Sequence, residues 1–129
     1  MKTVGRAESN DALREAGAIQ REAASTGFDW PEIAPVFDKI REELDEVCEA
    51  VQAGDAEQAR RELGDLLFAV VNLSRFLDAD PASELAGTTD RFRERFSRMR
   101  SELEGSGRVL EDCTLAEMDA VWDRMKAAE

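Results

Sequence analysis

The sequence contains no histidine and no tyrosine, and its only cysteines are Cys48 and Cys113. The absence of histidine excludes the Ser-His and Cys-His pairs that activate many protein nucleophiles. Two isolated cysteines without a CxxC spacing do not indicate a zinc site or a disulfide framework. Cys48 falls on a predicted helix, where we expect it to be a small core residue. Any catalysis must therefore depend on carboxylates, basic residues or a metal ion.

Long apolar runs are also missing from the chain. No stretch of about 20 apolar residues is present to span a membrane, and residues 1–10 lack the apolar region of a secretory signal, so we expect a cytoplasmic protein. The formal net charge of −12 over 129 residues argues against nucleic-acid binding, which depends on neutralising phosphates. This length predicts a single domain over 1–129, with 1–8 as a flexible tail.

Helix-forming residues dominate what is present, with alanine, glutamate, arginine and leucine all among the frequent types. Start and stop signals divide the chain into about five helices, which predicts an all-α antiparallel helical bundle. Asp29, Asp55 and Thr114 are each expected to cap the helix that follows, with a reciprocal side chain three residues later. The predicted helices cover about 9–25, 35–53, 56–77 and 81–104, followed by a last helix that begins after Thr114.

Two pairs of carboxylates have a spacing of three residues, which places the members of each pair on one face of a helix. Glu43 and Glu46 lie on the second predicted helix, and Glu62 and Asp65 lie on the third. The chain between them turns at Gly54-Asp55, so the two helices can return antiparallel and bring the pairs face to face. Helical bundles build carboxylate metal sites in this way.

An ExxE pair alone is more often a solvated helix face than a metal site. The third helix changes that balance, because apolar residues surround most of it and a helix of this kind is buried. Glu62, Asp65 and Asn72 share the remaining polar sector, and buried carboxylates need a compensating cation. The sequence therefore ranks Glu62 and Asp65 above Glu43 and Glu46 as evidence for a metal. Oxygen ligands favour Mg²⁺, or Mn²⁺ as an alternative.

The charges are unevenly distributed along the chain. Residues 38–65 carry ten acidic and four basic residues, whereas residues 91–100 carry five arginines and one glutamate. An acidic segment and a basic stripe together can hold a metal and its phosphate ligand. The alternative, a solvated face of arginines paired with acids, remains open on these residues alone.

At these positions the chain resembles the MazG-like family of all-α nucleotide pyrophosphohydrolases, and looks closest to the MazG catalytic domain. The resemblance is carried by K-I-R-E-E-L-D-E-V at 39–47 and E-L-G-D-L-L-F-A-V-V-N-L at 62–73. T-T-D-R-F-R-E-R-F at 88–96 is similar to the family's basic motif. Thr89 departs from a frequent asparagine there, and Arg91 from a frequent lysine. The likeness extends from Gly27 to Trp122–Lys126.

The resemblance implies specific roles for ten residues. The metal ligands and catalytic carboxylates would be Glu43, Glu46, Glu62 and Asp65. The substrate-binding residues would be Lys39 and Asn72 in the same pocket, Arg91 and Arg95 on the phosphates, Trp122 stacked on the base, and Lys126 one turn later. From the residues alone, a tryptophan on an amphipathic helix such as Trp122 is more often a core residue than a platform for a base, and Asn72 could form a hydrogen bond across a helix interface.

The activity implied by the resemblance is Mg²⁺-dependent hydrolysis of nucleoside and deoxynucleoside triphosphates to monophosphate and pyrophosphate, with broad specificity or removal of non-standard nucleotides. A dimeric dUTPase and a phosphoribosyl-ATP pyrophosphohydrolase are similar enzymes that remain alternatives. A non-catalytic helical module that oligomerises through its third helix is an alternative of another class. The apolar third helix predicts a homodimer, with a four-helix-bundle core completed across the interface, and a tetramer remains possible.

Overall fold

In the computed structural model of the chain, the described residues are 5–105 and 107–129, with side chains from residue 12 onward. This part of the chain contains five α-helices, one short 3-10 helix and no strand, which confirms the predicted all-α class. None of the described helices is long and apolar enough to cross a membrane. The helices are α1 (Gly5–Ser25), α2 (Ala34–Gln52), α3 (Ala56–Phe76), α4 (Pro81–Glu104) and α5 (Leu115–Ala128), with the 3-10 helix at Leu110–Asp112.

The helix boundaries lie close to those predicted. α1 begins at Gly5, a few residues before the predicted start, and residues 1–4 of the expected tail lie outside the described residues. The chain forms two compact units, a first unit that ends at Glu84 and a second unit that spans Leu85–Glu129. The single domain expected over 1–129 stays a prediction.

The predicted capping box at Asp29 is wrong. α2 starts at Ala34, and Pro35 lies in its first turn, a position that suits proline. The N-cap of this helix is Ile33, and no side chain caps it. Asp29 lies five residues before the helix, and its carboxylate instead accepts hydrogen bonds from Arg75. A cap requires a short reach to the first backbone N–H groups, and the bends between Asp29 and Ala34 remove that proximity.

The turn between α2 and α3 follows its sequence signals more closely. Gly54 has a φ of 74°, a conformation that glycine adopts without steric cost, and it ends α2. Asp55 caps α3 by accepting a hydrogen bond from the backbone N–H of Gln58 at 3.0 Å. The reciprocal half of the expected box does not form, because the Asp55 N–H donates to the Ala50 carbonyl at 3.0 Å and the Gln58 Oε1 accepts from Arg61 at 3.0 Å, while the Gln58 Nε2 donates to Glu62 Oε1 at 2.6 Å. The result is a hairpin in which α2 packs along α3, with α1 against α3 as well.

The core of the first unit is made of small residues. Val36, Ala50, Ala69 and Val71 are buried there. The expectation that α3 is buried all round is wrong for the single chain, because four of its large apolar side chains are between 44% and 53% exposed. Cys48 is also exposed rather than a core residue. The exposed side chains of α3 are Leu63, Leu67, Phe68 and Val70.

The second unit has its own core, formed between α4, the 3-10 helix and α5. Its buried members are Met99, Leu110, Cys113 and Val121. Thr114 caps α5 with the complete reciprocal box that the sequence predicts, in which Glu117 bonds back to the Thr114 N–H at 2.8 Å. The Glu117 carboxylate also accepts hydrogen bonds from both terminal guanidinium nitrogens of Arg108, at 2.6 and 2.9 Å.

We predict that Glu117→Gln destabilises the chain at neutral pH and much less in acid. Arg108 holds the pKa of Glu117 at about 2, below its ordinary 4.5. Ionised Glu117 therefore stabilises the fold above pH 4.5, and this contribution is lost as the pH falls through about 2. Urea unfolding at pH 7 and pH 3 should show a smaller difference between variant and wild type at pH 3. Glu111→Gln, an exposed carboxylate nearby, is the control, and an equal difference at both pH values would contradict the assignment.

Candidate active site

The α2–α3 hairpin gathers its carboxylates at one place. Oxygen atoms of Glu43, Glu62 and Asp65 all lie within 4.8 Å of one another. A second group with the same property consists of Glu42, Glu43 and Glu46, so Glu43 belongs to both. Four of these five residues are the predicted ones, and Glu42 is an addition. The spacing of three residues on each helix, together with the turn at Gly54, produces this arrangement.

Glu43 is the most buried of these carboxylates, at only 5% exposed. Its Oε1 forms an ion pair with Lys39 Nζ at 3.1 Å, and Lys39 lies one turn earlier on α2. Its Oε2 is buried without a hydrogen-bond partner, and the same is true of Glu62 Oε2. An unpaired buried carboxylate oxygen costs free energy, and a cation between these two side chains would remove that cost. The residues present therefore fit a hard divalent cation held by oxygen ligands.

Glu46 shows how strongly these carboxylates repel one another. Its pKa is raised to about 7, first by the hydrogen bond it shares with Glu62 and then by reduced contact with solvent and the charge of Glu43. Two ionised carboxylates have no donor to offer each other, so only a proton or a cation can hold them together. The neighbouring carboxylates therefore favour the protonated form of Glu46 relative to an isolated glutamate.

The predicted ranking of the carboxylates is wrong. Glu62 is half-buried and Asp65 is exposed, whereas Glu43, which ranked lower, is buried. The ranking depended on α3 being covered on all sides, and in the described part of the first unit α3 packs against α2 and α1. The carboxylate that projects from α2 toward α3 therefore becomes the buried one.

A cavity of about 720 Å³ adjoins this cluster within the first unit. Glu43, Lys39 and Asp65 form its charged end, and Asn72 contributes an amide. Gln20, Asp29 and Arg75 also line the cavity, and the rest of the wall is apolar or aromatic and comes from α1, α3 and the segment before α2. Those residues include Ile19, Ala23, Phe28, Trp30, Phe68 and Ala69. A ligand that fits must carry a charged part and a flat or apolar part.

Two features of this cavity were not identified from the sequence. Gln20 is buried in the wall, where its Nε2 donates to the Phe68 carbonyl at 2.9 Å and its Oε1 has no partner. Its spacing of seven from Leu13 and four from Ala16 was a usable signal, since it places a polar side chain on the apolar face of α1. The second feature is an ion pair between Asp29 and Arg75, at 2.8 Å. Nothing in the local pattern of the sequence links these two residues.

The predicted basic and aromatic residues belong to the second unit. Arg91 is exposed and donates to Thr88 Oγ1 at 3.1 Å. Arg95 is mostly buried, with its guanidinium 5.0 Å from the centre of the Trp122 ring and its Nε 2.9 Å from Glu129 Oε2. Trp122 is half-buried against the core of this unit, and Lys126 is exposed on the last turn of α5. A phosphate that binds Arg95 through Nε and through the terminal nitrogen that donates to Glu129 Oε1 would compete with the Glu129 carboxylate.

The fold and the acidic cluster define an all-α protein with a group of carboxylates that could hold a metal ion. Comparison with known proteins agrees with this class: residues 35–102 match the MazG nucleotide pyrophosphohydrolase domain, and the chain belongs to that family. The chain is 43% identical over 118 residues to the nucleoside triphosphate pyrophosphohydrolase/pyrophosphatase MazG of Thermotoga maritima. It is 37% identical over 120 residues to the nucleoside triphosphate pyrophosphohydrolase of Escherichia coli K12.

Each of these alignments covers 92% of the chain, but only 45% of the first relative and 46% of the second. The chain therefore spans about half the length of the curated relatives that it matches. The family membership predicted from the 39–47 and 62–73 segments is confirmed, while the individual roles of the site residues stay predictions.

We predict that divalent cations stabilise the chain through Glu43. Mg²⁺ or Mn²⁺ should raise the melting temperature of the wild type, because a cation supplies the partner that the buried Glu43 and Glu62 oxygens lack. Glu43→Gln should remove most of that increase, whereas Glu49→Gln, an exposed carboxylate on the same helix, should retain it. Thermal melts with EDTA and with each cation measure the effect. An equal increase in the wild type and in Glu43→Gln would contradict this assignment.

Proposed function

We propose that this domain hydrolyses nucleoside triphosphates, including deoxynucleotides, to nucleoside monophosphate and pyrophosphate with the aid of Mg²⁺. The observation that carries the proposal is the position of Glu43, a buried carboxylate with one unpaired oxygen where two acidic groups meet beside a cavity. Both relatives named above are called nucleoside triphosphate pyrophosphohydrolases, which supports the same activity.

The proposed ligands of Mg²⁺ are Glu43, Glu46, Glu62 and Asp65. When bound, the cation would neutralise charge on the triphosphate oxygens and on the leaving pyrophosphate. A carboxylate of this cluster accepts the proton of the attacking water, since the chain has no histidine to do so. Lys39 fixes the Glu43 carboxylate and adds a positive charge at the mouth of the cluster.

Substrate-binding roles are proposed for residues of each unit separately. Asn72 contacts the nucleotide in the cavity of the first unit, and Arg91 and Arg95 bind the phosphates. Guanidinium groups suit this role, because their parallel N–H donors match phosphate oxygens. We propose Trp122 as the ring that stacks on the base, with Lys126 beside it on α5.

The assay that tests the activity is product analysis. Each nucleoside triphosphate and deoxynucleoside triphosphate is incubated with the protein and Mg²⁺, and pyrophosphate is separated from orthophosphate. We expect monophosphate and pyrophosphate in equal amounts, with turnover abolished by EDTA. Glu43→Gln should lower the rate by about 100-fold or more, the scale of removing one electrostatic contact to a transition state.

Glu49→Gln serves again as the matched control and should retain wild-type turnover. Release of orthophosphate as the first product, or no turnover of any triphosphate, would overturn the proposed function. Activity confined to dUTP would point to the dUTPase-like alternative.

We also propose that two copies of the chain associate through the α2–α3 hairpin. Phe37, Leu44 and Val51 repeat every seven residues on α2, and all three are exposed. Leu63 and Leu67 are exposed on α3, together with Val70 one turn further along. Apolar residues repeating at this spacing form the seam between packed helices, and large exposed apolar patches mark association surfaces. A second copy would cover both stripes and complete a four-helix core.

Leu67→Asp should convert this dimer to a monomer, because a charge on the apolar stripe would be buried without a partner. Size-exclusion chromatography with light scattering gives the mass directly. Leu115→Asp, which changes an exposed leucine of the second unit, is the control and should leave the mass unchanged. A wild-type chain that elutes with the mass of one copy would contradict the proposed association, and a mass of four copies would indicate a dimer of dimers.

A further inference from the structure

Arg75 lies one turn after Asn72 on α3 and holds its amide directly. The guanidinium donates to Asn72 Oδ1 twice, from Nε at 2.8 Å and from a terminal nitrogen at 2.6 Å. That terminal nitrogen is also 2.8 Å from Asp29 Oδ1 on the segment before α2. The Arg75 side chain is only 15% exposed, and that of Asp29 is 28% exposed. Asp29, Asn72 and Arg75 all line the cavity beside the acidic cluster.

These bonds fix the direction of the Asn72 amide. A guanidinium has five N–H donors and no acceptor, so the atom of Asn72 that faces it must be the carbonyl oxygen. With Oδ1 occupied by two donors, the hydrogens on Nδ2 remain for a ligand. An amide that is free to turn can present either a donor or an acceptor, whereas this amide is fixed as a donor.

The same bonds make Arg75 a poor phosphate ligand itself. Its charge is paired with Asp29, and the hydrogen bond from Arg75 is the main reason that the pKa of Asp29 lies below its ordinary value. Removing one partner of a partly buried, hydrogen-bonded ion pair costs considerable free energy, because the other charge is left unpaired. Arg75 therefore acts on a ligand through Asn72.

We propose that Arg75, braced by Asp29, is a positioning residue that presents the Asn72 amide as a hydrogen-bond donor to an acceptor oxygen of the nucleotide in the cavity. This inference rests on the proposed function, because it assigns the substrate group at one position of that site. The acceptor is an oxygen of the phosphate chain, the sugar or the base, and the test below separates the phosphate chain from the other two.

A double-mutant cycle tests the coupling between Arg75 and Asn72. The variants are Asn72→Ala, Arg75→Met and the double variant, and the measurement is calorimetric binding of a non-cleavable α,β-methylene nucleoside triphosphate in Mg²⁺. We expect each single variant to weaken binding by about 3- to 10-fold, the scale of one neutral hydrogen bond. The double variant should bind no more weakly than Asn72→Ala, because Arg75 acts only through that amide.

Arg14→Met is the matched control, since Arg14 carries the same charge in the first unit but its side chain is 57% exposed and pairs with Asp80 at 3.9 Å. It should bind like the wild type. Losses that multiply in the double variant would overturn the inference. Should Arg75→Met fail to fold, Asp29→Ala replaces it in the same cycle, with the same expectation of non-additivity.

Asn72→Asp provides a readout that a purely structural role would not move. Its carboxylate keeps an acceptor for Arg75 but has no N–H to donate, so thermal stability should be retained while affinity falls. Retained affinity in this variant would overturn the inference. Inorganic triphosphate separates the sources of the acceptor: if Asn72→Ala weakens its binding, the acceptor is a phosphate oxygen, and if only the nucleotide is affected, the acceptor lies on the sugar or base.

Different results would overturn the proposed function and the role assigned to Arg75. A wild-type chain that neither binds nor cleaves any triphosphate removes the proposed function. A wild-type chain that cleaves triphosphates, with independent effects of Arg75 and Asn72, removes only the role assigned to Arg75.

Discussion

The burial of the Glu43 carboxylate among other carboxylates is the constraint on which the remaining structure depends. Glu43 lies between α2 and α3 at 5% exposed, with Lys39 on one oxygen and no partner on the other. Burying a carboxylate at this position costs free energy that a hydrophobic side chain of similar volume would not cost. A cation bound at this cluster would offset that cost, and its binding would then be coupled to the stability of the hairpin.

The same two helices carry two different surfaces. One side of α3 supplies Glu62 and Asp65 to the cluster, while Leu63, Leu67 and Val70 remain largely exposed elsewhere on the helix. The buried core of the first unit consists of small side chains, which allows the helices to approach closely but removes little apolar area from water. A second copy over the exposed stripes would add the missing apolar burial and hold the ligand-bearing helices in register.

Polar side chains around the cavity are held in one orientation by neighbours that do not touch the acidic cluster. Gln20 uses its Nε2 on the Phe68 carbonyl, and Asn72 uses its Oδ1 on Arg75. In each case half of the amide is occupied by the protein and the other half is left for a ligand or remains unpaired. Orientation of this kind lowers the entropy lost when a ligand binds, because the amide does not have to be immobilised at that moment.

The sequence by itself determined the helices and their approximate ends, the pairing of Glu43 with Glu46 and of Glu62 with Asp65, and the family. These features depend on signals within a few residues, such as the caps at Asp55 and Thr114, proline in a first turn and a spacing of three on a helix. The tertiary structure alone decided which carboxylate is buried, why Asp29 bonds Arg75 instead of capping α2, and that the apolar stripe of α3 lies open. Each of those outcomes depends on which surfaces meet between residues of different helices and segments, 46 residues apart in the case of Asp29 and Arg75, and no local pattern records such a contact.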